Sequence, residues 1–336
     1  MPDYLDGLTG QPRLLFEVPL KPLQGSRFQP TGFPDLGAAL YESPSGDELL
    51  VESAQSMANR LEAVCWDPAT ETVLPSLQGI SYIRVERDGE FLTSSILESH
   101  RINSPYILEG GDQQFFARLQ EETNALQEKA IDLRLLARIL MRYDCNCLLH
   151  GAFLAKKELA GGRLRIARAV SAFIDATGVR VATSGGVKKD QVDPSGDTKK
   201  GFGHVPFSRD EYTADAITAY FNIDLAQVRA YALGQAAEDL LVTLGLYKVL
   251  RFLREGLRLR TACDLEMADG ISVSRPAGWT MPSLDTVEAA LPGLIQAVTA
   301  EGLFAQPPVT TVTYIPPPKK SEKGSETGDG EDEKGE

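Results

Sequence analysis

The sequence predicts an α+β fold. Apolar residues recur with a strand period in some stretches and a helix period in others, and the two kinds are interleaved along the chain. Long insertions separate them, and no β-α-β run carries a glycine fingerprint, which argues against a doubly wound sheet. At 336 residues and 43% hydrophobic, the chain has material for one elaborate domain or two small ones.

The elements follow in order. Arg13–Leu20 (RLLFEVPL) reads as a short strand, and Lys21–Pro34, rich in Pro and Gly, as a loop. Ala38–Tyr41 and Glu48–Val51 flank Ser-Pro-Ser-Gly, the pattern of a hairpin. Ser53–Val64 reads as a helix, because Ala54, Met57, Ala58, Leu61 and Val64 share one stripe. Gln55, Ser56, Asn59 and Arg60 lie away from that stripe. Ile80–Arg87 and Phe91–Leu92 around Asp88-Gly89 suggest a second hairpin. Asp112–Tyr143 is the longest helical pattern, with Phe116, Leu119, Ala130, Leu133, Ala137 and Leu140 on its apolar faces and Glu121, Glu122 and Glu128 on a wet one. Cys145–Leu154 is a compact apolar run and reads as a buried central strand. After Gly161-Gly162, Arg163–Ile174 reads as another strand.

Gly178–Arg209 breaks the rhythm. It holds Arg180, Lys188, Lys189, Lys199, Lys200 and Arg209 against Asp190, Asp193 and Asp197, with six glycines and no long apolar run. A loop of this length inside a domain is usually functional or disordered. Paired lysines flanked by glycine suit a phosphate backbone. On this stretch alone, an arm that grips nucleic acid and a plain solvated loop both remain open. Ser208-Arg-Asp-Glu211 then has the capping-box pattern, which places a helix from there to Phe221. Asp224–Leu233 and Gln235–Glu255 read as helices broken near Gly234, and Gly256 as the stop. Leu257, Leu259 and Thr261 alternate with Arg258 and Arg260, a strand with both arginines on one face. Lys248–Arg260, with five basic residues and one acid, is the second basic concentration. Met281–Leu303 holds a weak helix.

Composition bounds the function. The net charge of −13 argues against a protein that coats nucleic acid with its whole surface, but not against a local basic groove. Residues 316–336 carry seven acids, four lysines and no apolar residue beyond proline, and are expected to be a disordered acidic tail. No run of eighteen apolar residues predicts a membrane span, and the polar start MPDYLDGLTG does not read as a signal peptide. Cys65, Cys145, Cys147 and Cys263 have no zinc-site spacing and are expected as buried, reduced thiols in a cytoplasmic protein.

No complete catalytic constellation is present. P-loop, dinucleotide, H-E-x-x-H and G-x-S-x-G patterns are missing. His100, His150 and His204 are isolated in sequence; His150 reads as a core or strand-edge residue, and His204 as a nucleic-acid contact or plain loop residue. Asp190, Asp193 and Asp197 have the oxygen ligands a divalent metal needs, but Asp193-Pro-Ser-Gly favours turn formation. No metal, cofactor or catalytic residue is assigned. Trp66 and Trp279 read as core or interface residues rather than base-stacking platforms.

Four segments together resemble a known family: ESAQSMANRLE (52–62), GGVKKDQVDPSGDTKKGFGHVPF (185–207), AYFNIDLAQVRAYALG (219–234, read as helical) and GLRLRTACDLE (256–266). They are similar to the backbone subunit of the type I-G (formerly I-U) CRISPR Cascade complex, of the RAMP superfamily, over roughly residues 10–315. The resemblance implies an RRM-like, ferredoxin-like core over 1–315 with insertions forming fingers and a thumb, the thumb at about 178–209. It implies copies that polymerise head to tail along one CRISPR RNA, with thumbs that wedge between bases while open guide segments pair with a target DNA strand. It also implies a large subunit, a guide-end-binding and processing subunit and a recruited helicase-nuclease as partners, and no catalysis in this subunit. The RNA-binding residues it implies are Gln55, Ser56, Asn59, Arg60, Lys188, Lys189, Lys199, Lys200, Phe202, His204, Arg209, Arg258 and Arg260.

Such contacts position RNA without reading its sequence, as a protein serving many guides requires. Acidic surface meeting basic surface suits a head-to-tail filament. The alternative within the same superfamily is a metal-dependent endoribonuclease using Asp190, Asp193 or His150. A third reading, motivated by the acidic surface, is a protein scaffold with no RNA role.

Overall fold

The computed structural model describes residues 2–33, 37–44, 46–110, 113–127 and 130–316. The acidic tail expected from residue 316 onward lies outside them apart from Pro316, as do Asp112 and Glu128.

Strand β1 (Leu14–Pro22) turns Leu14, Phe16, Val18 and Leu20 inward, the two-residue period of a half-buried strand. The hairpin β2 (Leu40–Ser43) and β3 (Gly46–Glu52) follows. Helix α1 (Ala54–Ala63) starts at once, with the Ser53 hydroxyl accepting from the Ser56 N–H at 3.3 Å. A second hairpin, β4 (Tyr82–Arg87) and β5 (Glu90–Ser94), precedes helices α2 (Gln113–Thr123), α3 (Leu133–Tyr143) and α4 (Asn146–His150). A short pair, Ala152–Leu154 with Leu164–Ile166, comes next, so the strand expected over Arg163–Ile174 is divided at 167–169; then follow β6 (Val170–Thr177), β7 (Arg180–Lys188), β8 (Val205–Thr213) and β9 (Ala216–Ile223). The rest is α5 (Leu225–Ala230), α6 (Gln235–Glu255), β10 (Arg258–Arg260), β11 (Cys263–Met267), β12 (Ser272–Arg275), α7 (Leu284–Ala300) and β13 (Val309–Thr313).

The main sheet has eight strands, in the order β10-β11-β1-β9-β6-β3-β2 with β12 also on β1. Every pairing in it is antiparallel. Helices α1 and α6 cover one face, α1 packing on β6 and on α6, and α7 lies against α6. Helix α6 is buried almost all round. At Gly245 it approaches the sheet so closely that a Cβ would lie 3.3 Å from Val170 Cγ2 and 3.4 Å from Ile223 Cδ1. Among the described residues no helix packs on the opposite face, whose side chains are half-buried to exposed. A smaller sheet sets β13 parallel to β4, with β5 outside. The α+β class, both hairpins, α1, α6 and the helix in 281–303 match expectation. β1 completes the main sheet.

Four expectations are corrected. Cys145–Leu154 is not a central strand but α4 followed by the short strand Ala152–Leu154. The Asp144 carboxylate accepts from the Asn146 N–H at 3.1 Å, and Gly151, at φ +81°, ends the turn. A buried apolar run of this length does not distinguish helix from strand by periodicity. The helix expected from Ser208 to Phe221 is instead the end of β8 and most of β9. Ile217, Ala219, Phe221 and Ile223 face inward with period two, which outweighs the capping-box letters. For the same reason AYFNIDLAQVRAYALG is strand through Ile223 and helical only from Leu225, where the Asp224 carboxylate caps α5 by accepting from the Gln227 N–H at 2.8 Å. The 112–143 pattern divides into α2, a short 3-10 turn and α3, which begins at its own cap, Asp132. The fourth correction concerns the basic stretch, which is an ordered ribbon.

Candidate nucleic-acid interface

Residues 180–213 form a two-stranded antiparallel ribbon, β7 with β8, in unbroken register from Arg180 opposite Thr213 to Lys188 opposite Val205. It leaves the main sheet where β6 and β9 end, and the Arg180–Asp215 ion pair at 2.7 Å marks its root. Most of its side chains are exposed. Its glycines serve close approach rather than looseness: at Gly203, φ +81°, a Cβ would lie 2.4 Å from the Gly196 carbonyl oxygen.

The tip, 189–204, is organised by Asp190. Its carboxylate accepts from the backbone N–H of Val192 at 2.8 Å, Asp193 at 3.0 Å and Gly203 at 2.9 Å. These bonds, the one from Asp193 foremost, hold its pKa below the usual aspartate value. His204 Nδ1 accepts from the Asp190 N–H at 3.0 Å, so the ring proton sits on Nε2. The Asp197 carboxylate accepts from the Lys199 N–H at 3.0 Å and starts the turn that carries Lys199 and Lys200. All four arm lysines are exposed, and so are Val187 (52%), Val192 (95%) and Phe202 (53%). Charge and apolar surface therefore share one projecting tip.

At the base of the ribbon lies an open groove of about 570 Å³. Arg209, Asp210 and Tyr212 of β8 form one wall, Gln29, Pro30 and Thr31 another, and Arg260 enters from β10. Paired bonds between Phe28 and Tyr212, 2.9 Å each way, fix the 28–31 segment against β8. Arg27 and Arg209 both reach the buried Glu211, at 3.3 and 2.5 Å.

Helix α1 places Gln55 and Asn59 in solvent with Ser56 half-buried. Arg60 turns instead toward the protein: its Nε donates to Glu52 at 3.0 Å and its terminal nitrogen to the Leu259 carbonyl at 2.5 Å. Arg260 donates to the same Glu52 carboxylate and to the Gln29 carbonyl. Glu52 is 1% exposed, so one buried carboxylate holds two arginines at the groove. Arg258, expected beside Arg260, is exposed. The structure thus brings Arg209, Arg260 and Arg60 to the foot of the arm, with the four lysines, Phe202 and His204 at its far end. Glu52, Arg27 and Tyr212 were not singled out from sequence. Glu52 had a signal: it is an acid that ends β3 directly before the Ser53 cap.

The second basic concentration is corrected at its first member. Lys248 is fully buried in α6, donating to Asn146 Oδ1 at 2.6 Å and paired with His150 Nε2 at 2.8 Å. Burial, and then Lys248, drive the His150 pKa well below the ordinary value. His150 is 1% exposed and out of reach of RNA. Nearby, Arg101 grips the buried Glu62 through two bonds of 2.7 and 2.6 Å. All four cysteines are free and buried. Trp66 is buried against Phe91, and the Trp279 indole N–H donates to the Tyr4 carbonyl at 2.8 Å. Among the described residues no three His, Cys, Asp or Glu side chains converge as a metal site, and no helix is long and apolar enough to cross a membrane.

Fold and site together define an α+β protein with a basic β-ribbon standing over an arginine-lined groove. Residues 14–181, half of the 336-residue chain, match the model of the CRISPR-associated protein GSU0053 (Cas_GSU0053) family, and the chain belongs to that family. No curated protein matches it. Among solved structures, a chain of a CRISPR RNA-guided surveillance complex, pre-nicking, is 15% identical, with 78% of this chain and 75% of that one covered at a TM-score of 0.41. The crystal structure of Thermofilum pendens Csc2 is 10% identical, with 89% and 80% covered at a TM-score of 0.31. Both likenesses are distant.

Proposed function

We propose that this chain is a non-catalytic, CRISPR RNA-binding backbone subunit of a type I-G Cascade, with an RRM-like core, fingers and a thumb. Copies stack head to tail along the guide and leave it open for pairing with a target DNA strand. The large subunit, the guide-end-binding and processing subunit and the helicase-nuclease act beside it. The observation that carries this reading is the ribbon, whose tip joins four exposed lysines to exposed Val187, Val192 and Phe202. The lysines suit phosphates and the apolar residues suit insertion between bases. The groove arginines, with Gln55, Ser56 and Asn59 of α1, suit contacts to phosphate and sugar oxygens, which position RNA without reading sequence. The proposed thumb is about 178–209, and the ribbon at 180–213 supports it. A buried His150 and an Asp190 committed to backbone bonds count against the ribonuclease alternative.

The test is co-expression with a CRISPR array and the partner subunits, followed by a high-salt wash and extraction of nucleic acid. A large particle holding RNA of one discrete length is the expected result. A nucleic-acid-free protein that ignores added RNA at low salt would leave the scaffold reading in its place.

A further inference from the structure

The face of the main sheet opposite α1 and α6 carries an aromatic pair with no partner. Phe173 of β6 and Tyr220 of β9 are directly opposite in register and stack at 5.0 Å between ring centroids, 25° apart. Phe173 is 38% exposed. The rings wall a cleft of about 280 Å³ that also takes in Leu15 and Glu17 of β1, Asn222 of β9 and Ser274 of β12. Its volume falls just under the roughly 300–1,000 Å³ of ordinary small-molecule sites, which suits one inserted side chain.

Exposed aromatics on such a sheet would suit stacked nucleobases. The charges around this pair oppose that use. Glu17 stands opposite Tyr220, and Asp175 and Glu48 occupy the same face on β6 and β3. Of the basic residues of these strands, Lys21 is paired with Glu266 at 3.2 Å and Arg275 stands opposite Leu15 at one end of the cleft, a single base against the three acids. Burial raises the Tyr220 hydroxyl pKa, and the charges of Glu17, Asp175 and Glu48 add to the rise. The field here is negative, and a phosphodiester would be repelled by it.

The free hydrogen-bonding groups point the same way. Asn222 Oδ1, in the cleft wall, is a buried acceptor with no hydrogen-bond partner among the described residues. An orphaned buried acceptor is costly until a donor arrives. Stacked ring faces, a carboxylate and an unmet carbonyl oxygen together are complementary to a cationic side chain with N–H donors.

We propose that this face docks a basic segment of a protein partner, one of whose arginine or lysine side chains lies on the Phe173–Tyr220 pair with its head toward Glu17 and Asn222. The site lies on the sheet rather than on the arm and stands whether or not the arm binds RNA.

The full-length protein can be titrated with three probes by saturation-transfer NMR: N-acetyl-arginine amide, N-acetyl-norleucine amide and uridine monophosphate. The arginine probe is expected to bind tightest, with its guanidinium-adjacent methylenes receiving the most transfer. Phe173→Ala and Glu17→Gln should each weaken it by about threefold to fivefold, the range a surface cation–π or charge contact supports. Both variants should melt with the parent, and Glu17→Gln, isosteric and on the surface, decides the matter should Phe173→Ala unfold. Preferential binding of the nucleotide would make the face a base platform and overturn the proposal. Equal binding of arginine and norleucine probes, or insensitivity to both variants, would reduce the face to a plain apolar patch and overturn it as well.

Discussion

Two stretches of this chain look alike as letters, and the fold uses them in opposite ways. The lysines of 188–200 sit on the outer part of a ribbon whose two strands pair with each other, and every one ends in solvent. In 248–260, Arg254 and Arg258 stay exposed, but the first and last basic residues are drawn inward. Lys248 is sealed in the core, and Arg260 is bound to Glu52 and to the Gln29 carbonyl. Charge held in solvent can be given to a phosphate at little cost. Charge held by internal partners stabilises the protein first and offers outward only the N–H groups left over. Substitutions in the two regions should therefore separate folding from binding.

The largest effect is expected at Lys248. Lys248→Ala leaves the Asn146 amide oxygen and the His150 ring without their donor and opens a cavity, at a cost of about 3–5 kcal/mol. Thermal or denaturant melting measures it, and whatever folds should retain RNA as the parent does. The same cluster has a pH signature. His150 has a depressed pKa in the fold, so its contribution is complete above the ordinary value of 6.5 and fades as pH falls from there toward the much lower folded value. Each pH unit in that window costs up to about 1.4 kcal/mol. Glu62, raised to about 7 by burial, acts in the opposite sense in the same window, so the slope from pH 7.5 to 5.5 is read against a His150→Gln variant; identical slopes would mean His150 is not held neutral.

Next in size is Glu52, which belongs to both regions. Glu52→Gln removes the charge that holds Arg60 and Arg260 together and should cost roughly 2 kcal/mol. RNA retention should fall with it, because the groove loses the orientation of two arginines. Loss of stability with undiminished RNA binding would assign the pair a purely structural part.

The arm should give the reverse result. Changing Lys188, Lys189, Lys199 and Lys200 together to Ala should shift stability by no more than about 0.5 kcal/mol per site, since none has an internal partner to lose. Affinity for guide RNA should drop, and the plot of log affinity against log salt should flatten by about 0.7 for each phosphate contact removed. Assembly on guide RNA as complete as that of the parent would strip the arm of its assigned role.

What the letters reveal and conceal follows the same division. Strand β1 and helices α1 and α6 were legible because burial imposes a period on them, and α1 and α7 also begin at serine caps. Strand β9 was misread because a capping-box match at Ser208 was set above the alternation of Ile217, Ala219 and Phe221. Helix α4 was misread because a short run buried on all sides has no face to display. The arm's residues are visible as charge, but its ribbon is not: Ser, Gly and Lys are poor strand formers, and from Arg180 to Lys188 the strand rests on its pairing with Val205–Thr213. Glu52 and Tyr212 acquire meaning only through partners far away in sequence, Arg260 and Phe28, which no local pattern encodes.

The smallest expected effect tests whether the arm works by charge or by shape. Asp190 is half-buried at the tip, where three backbone N–H groups converge on its carboxylate and lower its pKa. Its ordering contribution is therefore present above the usual aspartate value of 3.8 and is lost as pH falls through the lower folded value. Asp190→Asn keeps one acceptor and removes the charge. Amide exchange at Val192, Asp193 and Gly203 should quicken, while global melting stays within about 0.5 kcal/mol of the parent. The variant gains rather than loses net positive charge, so a simple electrostatic arm would hold RNA as well as before, or slightly better. A loss of RNA retention in this variant would mean that the tip must be shaped as well as charged, as a residue wedging between bases requires and a lysine brush does not.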